Sequence, residues 1–149
     1  MAEKTDEEKF LEAHQKERDV LFANEAFVIG VLQAVSGGSL FAALAQSEAL
    51  LKLAGRLPFL AFLTMMGIAL MSAVLAAYWK HQYKMWDVKA RVSVAGGNSS
   101  EGQTRSRSSG AYLVAMRRAM FVAVLAFVLG LGNLLVFALA RAICPAISA

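Results

Sequence analysis

The chain has 149 residues, 58% of them hydrophobic and 17% charged, with a formal net charge of +4. That length allows one domain, and the charged fraction falls below the roughly 25% of an average soluble protein. The deficit is concentrated: segments 26–47, 57–79 and 119–140 hold no Asp, Glu, Lys, Arg or His. About 20 apolar residues in a helix cross a hydrocarbon core of roughly 30 Å, so these stretches predict three membrane spans and exclude an ordinary water-soluble domain.

Residues 5–25 predict a helix. Thr5-Asp6-Glu7-Glu8 fits a capping box with Thr5 as N-cap, and Glu12 and Lys16 are spaced as an i,i+4 pair. No Gly or Pro intervenes before Gly30, so the helix should continue into the first span and project about 30 Å beyond the membrane at 1.5 Å per residue. Residues 1–25 carry eight acids and four bases and lack an apolar stretch near Met1, which argues against a cleavable signal peptide. The apolar stripe of this segment is Phe10, Leu11, Val20, Leu21 and Phe22, with His14 one turn after Phe10. A surface helix needs a basic polar face; this one is acidic, so the stripe is expected to pack on protein.

The first span carries Gly30, Ala34, Gly38 and Ala42, small residues at four-residue spacing that let helix backbones approach. Ala69, Ala73 and Ala77 repeat the pattern in the second span, and Ala115, Ala119 and Ala123 in the third. Internal three-helix packing is the expectation and a homo-oligomer contact the alternative. Between the first two spans, Glu48 and Lys52 are again four apart, Leu50, Leu51 and Leu53 can rest on the membrane, and Pro58 suits a helix start.

Beyond the second span, 80–92 has no helix breaker, and Tyr78, Trp79, Tyr83 and Trp86 form an interfacial aromatic cluster. Segment 80–118 holds eight bases against Asp87 and Glu101. An acidic first extension beside a basic second one predicts a two-helix cytoplasmic stalk in which His14, Tyr83 and Trp86 come together; the alternative is that both faces are merely solvated. Residues 93–110 read as a flexible linker by composition, with the third helix starting near Ala111. The RSRSS tract inside it lacks the charge and aromatics that nucleic-acid binding requires.

Basic residues fix an expected orientation. Twelve lie before the first span or between the second and third; Lys52, Arg56 and Arg141 alone lie on the other side. The chain is therefore expected in the inner (plasma) membrane, N-terminus cytoplasmic and C-terminus outside. Converting position to depth at 1.5 Å per residue puts Gln33 and Ser72 about 10 Å from the inner edge. Ser39, Thr64 and Asn133 lie about 20 Å deep by the same rise. These two layers read as interhelical glue or as the lining of a narrow path through an oligomer.

Chemistry-bearing patterns are few. No ionisable group lies inside a span, which disfavours proton-coupled transport, and neither His14 nor His81 can ligate a haem within the bilayer. No metal-ligand spacing, phosphate-cradling glycine motif or activated nucleophile stands out, so no enzyme activity, cofactor or metal is expected. Cys144, the lone cysteine, reads as a free thiol or as a link to a second copy. The sequence thus predicts an all-α, three-helix membrane bundle whose first two helices extend into the cytoplasm. Its expected role is a scaffold, accessory subunit or interaction module meeting a cytoplasmic protein partner. The alternative is an oligomeric pore or membrane-disrupting effector.

Overall fold

The computed structural model describes residues 6–143, and their side chains except those of 6–11 and 14. The expected roles of Thr5, Phe10, Leu11, the His14 side chain and Cys144 lie outside the described residues. The described chain is all helical: α1 (Asp6–Ala45), the short α2 (Ser47–Ala54), α3 (Arg56–Ala95) and α4 (Ser99–Ile143). Three of these, α1, α3 and α4, are long and apolar enough to cross a membrane.

The three long helices run antiparallel in sequence and share one seam period. The buried positions of α3 are Phe59, Phe62, Met66, Ala69, Ala73, Ala76, Lys80, Tyr83, Ala90 and Ser93. Those of α4 are Gly102, Ser109, Met116, Ala123, Ala126 and Gly130. Alternate steps of three and four, or whole steps of seven, define a heptad, the spacing of helices wound left-handedly around one another. On α1, buried Ile29, Ser36 and Ala43 follow the same period. Constant register links α1 to α3 through Arg18–Asp87, Phe22–Tyr83 and the cluster of Ile29 with Ala76.

The α3–α4 pair is the densest contact. Its seam is lined with Ala and Gly, and the approach is close: a Cβ added at Gly130 would sit 2.8 Å from the Met65 Cβ and 2.7 Å from the Met66 Cε. At the other end, a Cβ on Gly102 would overlap the Val94 side chain and lie 3.3 Å from the Ala90 carbonyl oxygen. Helix α1 lies chiefly along α3 and reaches α4 through the Ile29–Ala76–Met116 cluster and a Glu25–Arg117 contact.

Two expectations change here. Segment 93–110 is not a flexible linker: α3 ends in a Schellman motif, in which Gly97 N–H donates to the Val94 carbonyl and Asn98 N–H to that of Ser93. Gly97 adopts φ +83°, which glycine tolerates. Asn98 then caps α4, its Oδ1 accepting from Glu101 N–H while its Nδ2 donates to the Glu101 carboxylate at 3.0 Å. The turn is therefore three residues long, and α4 begins at Ser99 rather than near Ala111. In consequence all three long helices, not two, extend beyond their uncharged segments.

The uncharged halves are apolar outside as well as inside. Phe27, Phe41, Leu57 and Phe121 are 72%, 76%, 80% and 68% exposed. Water would penalise such a surface, whereas hydrocarbon accepts it. At that end α2 packs Leu50 against the cluster of Ala43, Phe59, Phe62 and Met66. Gly55, at φ +90°, turns the chain into α3, with the Arg141 guanidinium pressed against it.

The close seam yields a paired test. Gly130→Ala forces a new Cβ against the Met65 Cβ, and overpacking of that kind costs about 1–3 kcal/mol. Gly132, one step off the seam, has nothing within 4 Å of an added Cβ, so Gly132→Ala should leave stability unchanged or raise it through helix propensity. Thermal unfolding of both variants in detergent checks the difference.

Candidate functional site

The charged half of the bundle carries the only dense constellation of polar and aromatic side chains among the described residues. Its centre is Tyr83 on α3, 7% exposed. The Tyr83 ring packs on Phe22 of α1 with centroids 5.3 Å apart, and its hydroxyl accepts a hydrogen bond from the Arg18 guanidinium at 3.3 Å. Arg18 also reaches Asp87 at 3.5 Å, and Arg91, one turn on, approaches the same carboxylate at 3.0 Å. The Tyr83 hydrogen bond and the nearby Asp87 charge push the Arg18 pKa above its ordinary value, outweighing partial burial.

One turn toward the uncharged half lies a second polar group. Lys80 is buried, and its Nζ donates to the Phe22 carbonyl. That carbonyl belongs to continuous helix, so the ammonium adds a second bond to a shared acceptor. Glu25 stands 3.8 Å from Arg117 of α4, and its other oxygen, Oε2, is buried without a hydrogen-bond partner. Charges from all three helices thus meet where the uncharged segments begin.

The expected stalk residues divide. Tyr83 faces α1, as anticipated, but its partners are Phe22 and Arg18; the register places backbone position 14 level with Arg91, two turns farther on. Trp86 turns the other way and stacks on Tyr112 of α4, centroids 6.4 Å apart, and the Lys89 Nζ lies 5.2 Å from the Trp86 ring centroid. Trp79 stacks on the same tyrosine at 5.6 Å. The aromatic cluster therefore straddles α3 and binds both neighbours. Charge complementarity between α1 and α3 is present with a reversed polarity at its core: Arg18 comes from the acidic segment and Asp87 from the basic one. The signal available in the sequence was this pair of minority charges, each set among charges of the other sign.

The polar residues of the uncharged segments also divide. Gln33 Nε2 donates to the Ala73 carbonyl of α3 at 3.4 Å, beside half-buried Ser72. Asn133 Nδ2 donates to the Pro58 carbonyl at 3.3 Å, joining α4 to α3. Thr64 is exposed and bonds the Leu60 carbonyl of its own helix. Thr64 and Asn133 thus take separate carbonyl partners and Ser39 is half-buried, with no hydrogen bond joining the three. Ser36, absent from that reading, is fully buried between helices with an unpartnered hydroxyl.

Of the small-residue runs, Ala69 and Ala73 are fully buried and Ala77 half-buried. Gly30, Ala34, Gly38 and Ala42 are exposed, and nothing approaches within 4 Å of a Cβ built at Gly30 or Gly38. The run starts one residue past the seam position Ile29, and none of its members meets the later seam positions Ser36 and Ala43.

Beside Tyr83 an open groove of about 1030 Å³ runs between α1 and α3, lined by Gln15, Asp19, Leu21, Lys84, Val88 and Arg91 among others. Its walls mix both charges with apolar side chains, which suits recognition of a protein surface or peptide better than enclosure of a small molecule. Among the described residues no group of three His, Cys, Asp or Glu could hold a metal ion. No family model matches the chain, and no curated protein or solved structure matches it at a significant level.

Tyr83 should matter more to this half than the ion pairs around it. Tyr83→Ala removes a buried aromatic, a class of change that costs about 3–5 kcal/mol, whereas Asp87→Asn should cost no more than about 1 kcal/mol, as exposed pairs do. Hydrogen exchange over residues 12–25 is expected to accelerate strongly in the first variant and slightly in the second. Equal acceleration would reverse this ranking.

Proposed function

We propose that this chain is a three-span protein of the inner (plasma) membrane that acts as a scaffold, accessory subunit or interaction module through a cytoplasmic three-helix stalk. The observation that carries the reading is the division of the bundle. One half has an apolar exterior and spends the Gln33 and Asn133 amides on neighbouring carbonyls. The other half is charged, helical throughout and open along the α1–α3 groove. Helices prolonged by some 16–20 residues past the uncharged segments, about 25–30 Å at the helical rise, present a rigid surface to a cytoplasmic protein. The count of basic residues on either side supports this orientation.

A second reading, an oligomeric pore or membrane-disrupting effector, rests on the outward run Gly30–Ala34–Gly38–Ala42. Small residues at that spacing let a second copy approach closely. It has less support: selective conduction generally uses charged rings or aligned carbonyls, and the amides best placed to line a path are turned into the protomer.

Two experiments test these proposals. Alkaline phosphatase fused after Gly97 should be inactive and fused after Ile143 active; the opposite pattern reverses the orientation. A photocrosslinker at Val88, which is 59% exposed beside the groove, should trap one defined cytoplasmic protein in cells, while purified protein stays silent in planar bilayers. Conductance at low protein, with only self-crosslinks recovered, would favour the pore instead.

A further inference from the structure

At the uncharged end of the bundle the fold brings together two of the three basic residues that the sequence scatters on that side, Arg56 and Arg141. Arg141, near the end of α4, donates from Nη1 to the Lys52 carbonyl of α2 at 3.2 Å and packs its guanidinium over Gly55. Arg56 follows Gly55 at the start of α3. Arg56 and Arg141 together line a cleft of about 740 Å³, whose deeper wall is Leu57, Pro58, Ala61, Phe137 and Asn133. Among the described residues no acidic side chain lines it.

The chemistry of this cleft is graded along α4. From Arg141 down to Asn133 is eight residues, about 12 Å along the helix. Cations occupy the interfacial end, while the wall descending toward the bilayer interior is aliphatic and aromatic, with the Asn133 amide committed to the Pro58 carbonyl. Guanidinium groups bind phosphate oxygens through paired N–H donors. One Arg141 nitrogen donates to the Lys52 carbonyl, and the guanidinium carries further N–H donors beyond it. Arg56 is exposed. A free phosphate would use the cations and leave the apolar wall unoccupied.

We propose that this cleft binds one phospholipid of the outer leaflet, with its phosphodiester between Arg56 and Arg141 and an acyl chain against Leu57, Ala61 and Phe137. The proposal rests on the membrane-spanning reading given above. It differs from that reading in concerning one retained lipid molecule rather than the surrounding bilayer. A bound phosphodiester would bridge α3 to α4 at the α2–α3 turn, the place where Gly55 leaves the backbone without a side chain of its own.

The test is native mass spectrometry of the detergent-purified full chain, titrated with phosphatidylglycerol, with diacylglycerol of the same acyl chains, and with phosphatidylglycerol in the presence of inorganic phosphate. The expected result is one phosphatidylglycerol adduct, absent with diacylglycerol and undisturbed by millimolar phosphate. Arg56→Ala should weaken it about tenfold or more, as loss of a charge-assisted pair does; Lys89→Ala, on the charged half, should leave it unchanged. Arg141→Lys, which keeps a cation but loses the paired donors, should weaken it as well if the turn stays folded by circular dichroism. Equal retention by Arg56→Ala, equal binding of diacylglycerol, or displacement by phosphate would each overturn the proposal. Recovery of the chain as a soluble monomer without detergent would instead sink the membrane reading on which it stands.

Discussion

The contact on which the other features depend is the small-residue seam between α3 and α4. Lipid tails are as apolar as the side chains they would replace, so burial alone does not drive helices together inside a bilayer; close van der Waals packing does much of that work. Gly130 against Met65 and Met66, and Ala123 and Ala126 on the same seam, bring the two helices near enough for such packing. The same heptad continues without a break into the charged half, where Gly102 sits against Val94 and Ala90. One register thereby fixes both halves, and α1, which meets chiefly α3, inherits its position from that pair.

Continuity of the seam explains how the charged half can hold a folded surface beyond the uncharged segments without a separate domain. In water the charged half has few large apolar side chains to bury, and isolated short helices are marginal there. Here the helices arrive already formed, held along the seam by their uncharged portions. The Schellman motif and the Asn98 cap at Ser93–Glu101 close the charged end of the α3–α4 hairpin. Tyr83 and Tyr112 then join α3 to α1 and to α4 respectively. Arg18, Asp87 and Arg91 add orientation more than strength, since pairs this exposed are individually weak.

Much of the fold was legible in the sequence, because a run of uncharged residues is a signal of length and composition. The continuation of the first helix and the helical character of 80–92 followed from the same logic. The segment 93–110 was misjudged because composition outweighed order. Gly, Ser and Asn there resemble a linker, but the sequence Gly96-Gly97-Asn98-Ser99-Ser100-Glu101 spells a helix stop followed by an N-cap and its returning Glu. The small residues Gly102 and Ser109, seven apart, belong to a seam that a flexible linker would not possess.

The packing faces were harder to read. A four-residue spacing does not say where a run starts relative to the seam: Ala69 and Ala73 fell on it, whereas the run Gly30, Ala34, Gly38 and Ala42 starts one residue past Ile29 and never meets it. Depth estimates likewise left azimuth open, which is why Gln33 reached Ala73 beside Ser72 while Thr64 and Asn133 turned apart. The basic cleft beside the α2–α3 turn was hidden because Arg56 and Arg141 are brought together only by the antiparallel hairpin.

The claim beneath all of this is that one continuous heptad seam runs from hydrocarbon into water. A nitroxide scan along α3 in lipid vesicles, reading collision with oxygen and with a water-soluble nickel chelate at each position, tests it directly. The account predicts a 3.5-residue periodicity from 57 to 95 with troughs at the seam, the outward peaks favouring oxygen before position 80 and nickel beyond it. Loss of periodicity past 80, or oxygen-rich peaks continuing to 95, would contradict it.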